Sequence, residues 1–344
     1  MMRSQSQAPV RVLGLDIGAT KVSAALVREN GRTYSPGGVR LHANDGADAV
    51  IAELVGAARR SLGPEGLADA IGVGVAAQVE PGTGTVAYAP NLVWKNVALR
   101  AILEKEFGCP VVVVNDVRAA AVGEWRFGAG AGSRTLLAIW VGTGVGGSLL
   151  QDGVPLEGAS NALGEIGHTQ IVAGGRPCHC PSRGCLEAYV GGWAIASRAQ
   201  DRARADPQRA IPLVEKAGSI ESIDAKVVAE VARSGDSLAG EIMRVTATYI
   251  AGGVTGLVNA FNPDRVVLGG GIIEGWPELV QAVRDRVRSD CQPPAARVAR
   301  VVRSSLGRDA IVIGAASLAR DQSRPASPRP TARPSAPRAR RPRR

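Results

Sequence analysis

The sequence predicts an α/β protein made of two similar halves around a cleft, and three features carry that expectation. Short apolar runs such as AIGVGV and VVVVN have the nearly continuous apolar content of strands buried on both faces of a sheet. They alternate with longer segments of helical spacing, the pattern of sheets with helices packed on them. Two strand–glycine turn–strand units, VRVLGLDIGATKVSAALV and TLLAIWVGTGVGGSLLQ, each open such a series. At 344 residues the chain is long enough for two domains. Aromatics make up only 3%, so the core must be built from Ala, Val, Leu and Ile.

In chain order, the first unit reads as two strands meeting at Gly18-Ala19-Thr20. Residues 46–62, GADAVIAELVGAARRSL, have helical spacing and stop before Gly63-Pro64. AIGVGVAAQV is a buried strand, and PGTGTV a turn-rich connection. ALRAILEKEFG is an amphipathic helix closed by Gly108. PVVVVND is a strand followed at once by a helix, VRAAAVGEWRFG. The second half begins with two strands around a Gly-rich turn, passes a Cys/His segment, and continues as helices over 185–205, 222–234 and 237–260. VVLGGGI is a further buried strand, and DAIVIGAASLAR the last helix.

The formal charge of +10 is concentrated at the end of the chain. Residues 321–344, DQSRPASPRPTARPSAPRARRPRR, hold eight arginines against one aspartate and six of the 21 prolines. With almost nothing to bury, this tail is expected to be disordered. A weak electrostatic contact with nucleic acid, polyphosphate or an acidic membrane is its alternative use. No apolar run reaches the length that spans a bilayer. The opening MMRSQSQAPV lacks the apolar stretch of a secretory signal, so the expected location is the cytoplasm. Five cysteines in that compartment argue against a disulfide framework. Cys109 and Cys291 stand alone as ordinary thiols.

Three glycine turns end apolar strands: Asp16-Ile17-Gly18-Ala19-Thr20-Lys21, Gly142-Thr143-Gly144, and Gly269-Gly270-Gly271. Glycine lets peptide N–H groups approach a phosphate without a Cβ in the way. None fits a P-loop or a dinucleotide fingerprint; together they suggest a distributed nucleotide site, whereas each alone is equally a hairpin. Asn115-Asp116 ends the VVVV strand, where α/β proteins place cleft-facing polar groups. Asp116 could take a proton from a substrate hydroxyl, or merely cap the helix expected from Val117. His168, Cys178, Cys180 and Cys185 form a Cys3His set, a tetrahedral zinc arrangement with a closed shell, hence structural. His179 is the competing imidazole. Glu165 and Glu187 flank these ligands and would be aimed by them, which suits recognition of a polyhydroxylated substrate; the alternative is a pair of solvated glutamates.

The ordered set LDIGATK, NLVWKNVALR, VVNDVRAAAVGE, VGTGVGG, GEIGH, CHCPSRGCLE and VVLGGGI resembles the ROK family of sugar kinases. That resemblance implies the actin-like ATPase (ribonuclease H-like) fold: an N-terminal domain over 1–118 completed by a helix at 306–320, and a C-terminal domain over 119–305 with a zinc loop at 168–187. It implies ATP and Mg2+ as well as Zn2+. Asp116 would be the catalytic base, with Asn91, Asn115, Glu165, His168 and Glu187 on sugar hydroxyls. Asp16, Gly18, Thr20 and Lys21 would form the first phosphate loop, with Asp16 near Mg2+. Gly142, Thr143 and Gly144 would form the second, and Gly269, Gly270 and Gly271 would border the adenosine. The implied activity is phosphorylation of a hexose, first glucose at its 6-hydroxyl, with N-acetylglucosamine or N-acetylmannosamine as alternative acceptors and a homodimer or higher oligomer as the assembly. Ala19, Ala76-Ala77 and Pro181 depart from the family pattern at the first loop, the sugar pocket and the zinc loop. Sugar-responsive repressors share the family, but too few residues precede the first strand here for their DNA-binding domain.

Overall fold

The computed structural model describes residues 10–18, 20–41 and 46–323. The first half runs β1 (Val12–Ile17), β2 (Lys21–Val27), β3 (Thr33–Arg40), α1 (Ala47–Leu62), β4 (Ala70–Val75), β5 (Gln78–Val79), β6 (Val86–Ala89), β7 (Trp94–Val97), α2 (Leu99–Phe107), β8 (Val111–Asn115) and α3 (Asp116–Phe127). It continues as β9 (Thr135–Val141), β10 (Val145–Gln151), β11 (Val154–Pro155), α4 (Glu187–Val190), α5 (Gly192–Ala205), α6 (Ile211–Ala217), α7 (Ala225–Arg233) and α8 (Ser237–Phe261). The last elements are β12 (Arg265–Gly269), α9 (Gly271–Gly275), α10 (Glu278–Asp290), α11 (Pro293–Val298), β13 (Arg300–Arg303) and α12 (Ala310–Ser323).

Two five-stranded sheets share one plan. Their orders are β3-β2-β1-β4-β8 and β11-β10-β9-β12-β13. In each, an antiparallel hairpin feeds two further strands parallel to its first strand. A small sheet, β5-β6-β7, lies in the first half. β1 and β4 are buried along their whole length, as their unbroken apolar pattern requires.

The helix pair α3/α12 lies between the sheets: α12 packs on β1 and β4, and α3 packs on β9 and β10. Glycine makes the first contact close. A Cβ on Gly72 would stand 1.9 Å from Ala315 O, and one on Gly14 2.1 Å from Val312 O, so α12 rests on bare backbone. The chain crosses between the sheets after α3 and again before α12, and Glu124 joins both crossings. Its buried carboxylate accepts from Ala129 N–H at 2.7 Å, Leu306 N–H at 2.9 Å and Ser304 Oγ at 2.5 Å. Four or more donors on one buried charge leave it fully satisfied.

The expected elements form, with adjustments. AIGVGVAAQV is split into β4 and β5, which belong to different sheets, and β8 is a half-buried edge strand rather than one buried on both faces. Helix 185–205 is two helices, α4 and α5, interrupted at Gly191 in extended backbone. β3 was not readable because TYSPGGVR carries turn residues; it survives as an edge strand, where Pro is tolerated. α12 continues through Ser323 rather than yielding to a disordered tail at Asp321, because Asp321 pairs with Arg126 of α3. Residues 324–344, and with them the rest of the expected tail, lie outside the described residues, as does Ala19. No helix among the described residues is long and apolar enough to cross a membrane.

Candidate active site

Polar groups gather at the carboxyl ends of the parallel strands, the position at which open α/β sheets bind ligands. Asp16 nears the end of β1 and Asp116 follows β8; β4 runs between them, with Asp16 opposite Gly74 and Gly74 opposite Val114. Two strand spacings separate their backbones by about 10 Å. Asp16 is buried, and its pKa is pushed up to about 7, first by burial, then by Asp116, with Lys21 opposing. The Asp116 carboxyl is pushed up to about 6, again mainly by burial, with backbone N–H donors pulling it down and Glu165 pushing it up. Thr20 and Lys21 are exposed beside Gly18 at the start of β2.

The helix expected from Val117 starts one residue earlier. Asn115 is its cap: Oδ1 accepts from Arg118 N–H at 3.1 Å, and Nδ2 donates to Ala77 O at 3.4 Å. Asp116 is therefore the first helical residue, its Oδ1 held by Val117 N–H at 2.9 Å. Capping falls to Asn115, which leaves Asp116 Oδ2 uncommitted to the helix.

The second sheet contributes the other two turns. Gly142–Gly144 links β9 to β10, and Gly269–Gly271 links β12 to α9, both at strand carboxyl ends. Gly142, Thr143 and Gly271 line a large cleft with Trp193, Trp276, Lys226 and Arg308. Gly269 instead packs under Trp140, where a Cβ would lie 2.7 Å from the indole, and Gly270 holds φ +90. A narrower cavity, open to solvent, is walled by Ala77–Val79, Asn115, Arg118, Gly146-Gly147 and Asn161–Glu165; Asp116, His168 and Glu187 are not in its wall. Asn91 is exposed on the turn Pro90–Leu92 and does not line this cavity.

The Cys/His segment has little regular structure: isolated bridges pair Gln170 with Cys185 and Pro177 with Arg183. It nevertheless brings His168, Cys178, Cys180 and Cys185 together, their donor atoms all within 4.8 Å of one another. His168 Nδ1 lies 3.6 Å from Cys178 Sγ, while Nε2 faces Glu165 Oε2 at 4.0 Å. Cys180 Sγ and Cys185 Sγ are 3.6 Å apart. Three thiols and an imidazole converging so closely fit a tetrahedral Zn2+. His179 points elsewhere, stacked on Trp193 at 4.0 Å between centroids and 21° between planes. Glu187 heads α4 and turns toward the second glycine turn. Its Oε2 accepts from Val145 N–H at 2.8 Å and its Oε1 from Trp193 Nε1–H at 3.4 Å. A Cβ on Gly144 would meet that carboxylate at 2.4 Å, so only glycine leaves room for it.

Sequence reasoning missed Trp193, which touches both the Cys/His loop and the large cleft, and the pair Arg118–Asn161. Arg118 carried a readable signal: a cation in the first turn of a helix opposes the helix dipole and needs a partner.

A family model described as "ROK family" matches residues 12–322. The chain belongs to the ROK family. Its fold is the family's actin-like ATPase fold. Among ROK relatives, the glucokinase of Streptomyces coelicolor is 34% identical over 90% of this chain and 97% of its own length. The glucokinase of Thermotoga maritima is 33% identical over 91% and 98%. A crystal structure of a ROK glucokinase from Streptomyces griseus in complex with glucose and AMPPNP superposes with a TM-score of 0.80, at 34% identity, covering 90% of this chain and 99% of that one.

Proposed function

We propose that this chain is an ATP-dependent glucokinase that transfers the γ-phosphoryl group of ATP to the 6-hydroxyl of glucose. The observation that carries the chemistry is Asp116: a carboxylate at the head of α3, next in the chain to Asn115 of the cavity wall, with its pKa raised to about 6. A base poised just below neutral pH is ionised yet still able to take a proton. Relatives named glucokinases, a third identical over nearly their whole lengths, support glucose as the acceptor.

In this reading Asp116 Oδ2 takes the proton of the 6-hydroxyl as its oxygen attacks phosphorus. Glu165, His168 Nε2, Asn91, Asn115 and Glu187 hold the remaining hydroxyls, Asn115 and Glu187 exchanging bonds they now make within the protein. Thr20 and Lys21 on one side and Thr143 and Gly144 on the other would present donors to the phosphates, while Gly18 and Gly142 shape those turns with N–H bonds to Lys21 O at 3.0 Å and Gly144 O at 2.9 Å; Gly269, Gly270 and Gly271 would lie beside the adenosine. Phosphoryl transfer asks mainly for alignment and charge stabilisation, which such donors supply. Asp16 would hold Mg2+, whose charge would offset its raised pKa. His168 Nδ1, Cys178, Cys180 and Cys185 would hold Zn2+, which would tie the turns of the loop to one another. By family membership we also read the protein as a cytoplasmic homo-oligomer, built of two halves that close over the sugar.

The test is ADP release over a panel of hexoses and N-acetylhexosamines, with ATP and polyphosphate as donors. Glucose with ATP is expected to give the highest kcat/KM. A panel in which no sugar stimulates ADP formation contradicts the proposal, and a preference for N-acetylglucosamine or N-acetylmannosamine would move the acceptor to that class.

A further inference from the structure

We propose that Arg118 is a positioning residue that sets the shape of the sugar cavity through a clamp with Asn161; the identity of the sugar rests on the kinase reading above. Arg118 is 7% exposed and occupies the first turn of α3, where the helix dipole disfavours a cation. A buried guanidinium persists only with close partners. Here both prongs of its fork grip one residue: Nη1 donates to Asn161 Oδ1 and Nη2 to Asn161 O at 3.2 Å. The Glu157 carboxylate stands 3.9 Å away. Asn161 passes the grip on, its Nδ2 donating to Val79 O at 2.7 Å.

Three separate pieces of chain are thereby tied together. They are the head of α3 with Asp116, the segment after β4 at residues 76–79, and the loop over 157–165 that ends at Glu165. These pieces also form much of the wall of the narrow cavity. Asn115 adds a second tie between α3 and the same segment through Ala77 O. None of these bonds belongs to a sheet ladder or a helix; what they fix is the spacing of two loops relative to Asp116. A fork is needed for this, because a lysine ammonium cannot grip an amide oxygen and a carbonyl in one plane. Loosening the clamp should widen the cavity, weaken glucose, and admit the bulkier 2-acetamido sugars.

Asn161 allows the side-chain part of the clamp to be cut while the Arg118 Nη2 bond to its carbonyl stays. Its φ of +60 is a conformation glycine adopts without strain, so Asn161→Gly removes both side-chain links while keeping the loop's backbone. The experiment compares wild type, Asn161→Gly and Arg118→Lys by steady-state kinetics, and by amide hydrogen exchange without sugar. Asn161→Gly should raise the glucose KM about tenfold, with kcat within about threefold and the ATP KM unmoved. Its preference for glucose over N-acetylglucosamine should narrow, and residues 76–80 and 157–165 should both exchange faster. Arg118→Lys should resemble Asn161→Gly rather than wild type. Wild-type exchange in either segment of Asn161→Gly overturns the clamp; faster exchange with a glucose KM within twofold of wild type overturns its role in the pocket. A wild-type protein that phosphorylates no sugar contradicts the kinase reading instead, and the exchange data then decide the clamp alone.

Discussion

The head of α3 enters the wall of the narrow cavity through Asn115 and Arg118, and the Cys/His loop borders it where His168 faces the cavity-lining Glu165, yet the two are held in place by different means. Asp116 follows β8, an edge strand paired with β4, and begins a 12-residue helix; Asn115 caps that helix, and Arg118 bolts it to two loops. Its position is fixed by protein alone. The loop from His168 to Glu187 has two isolated bridges and a convergence of four soft donors. Backbone bonds such as Gly184 N–H to Arg176 O at 2.7 Å and Leu186 N–H to Thr169 O at 2.9 Å shape the loop, and a metal on the four donors would tie Cys178 and Cys180 to His168 and Cys185. The base should therefore survive loss of metal, and the sugar-holding groups should not.

The largest break in this comparison comes from the head of α3. Asp116→Asn should lower kcat by about 10³-fold, within the range a general base contributes, while glucose binding by calorimetry stays near wild type. Retention of more than a tenth of wild-type turnover would remove Asp116 from its role. Next comes the metal. Purified protein should carry about one zinc per chain by elemental analysis. Cys185→Ser, at a fully buried ligand position, should lower the melting temperature and raise the glucose KM about tenfold. A smaller effect is expected at the second glycine turn. Gly144→Ala puts a methyl against the Glu187 carboxylate and should raise the KM of both glucose and ATP a few-fold.

A separate effect is on stability. A carboxyl whose folded pKa lies near 6, above the unfolded value of 3.8, binds more protons folded than unfolded between those limits. Its ionisation therefore costs stability as pH rises through that window and leaves the full cost in place above it. Asp116→Asn removes the cost. The variant should be more stable than wild type at pH 8 by on the order of 3 kcal/mol, with most of the gap gone by pH 4 in urea melts.

How far the site was legible follows from how local its causes are. The strands, the glycine turns and Asp116 at a strand end were readable because each depends on neighbours within a few residues. The four metal donors were readable because three lie within eight residues in a loop with nothing else to fold it. Arg118–Asn161 spans 43 positions and His179–Trp193 spans 14, and neither partner announces the other. Only the misplaced cation at the start of α3 hinted at a missing contact. The bonds that Asn115 and Glu187 make within the protein were equally out of reach, since Ala77 and Val145 are brought to them by the fold. β3 was hidden for a different reason: its own residues favour a turn, and pairing with β2 overrides them.

The comparison is tested most directly by the pH profile of glucose kcat/KM, measured on zinc-loaded protein and on protein stripped of metal by a chelator. Both profiles should fall about tenfold per unit below an apparent pKa near 6, the value to which burial pushes Asp116 at the head of α3, with bound Mg2+ keeping Asp16 ionised. Only the level should differ, through a raised glucose KM in the stripped protein. An apparent pKa that moves by more than about one unit on stripping would show that the metal, and not the fold, sets the base.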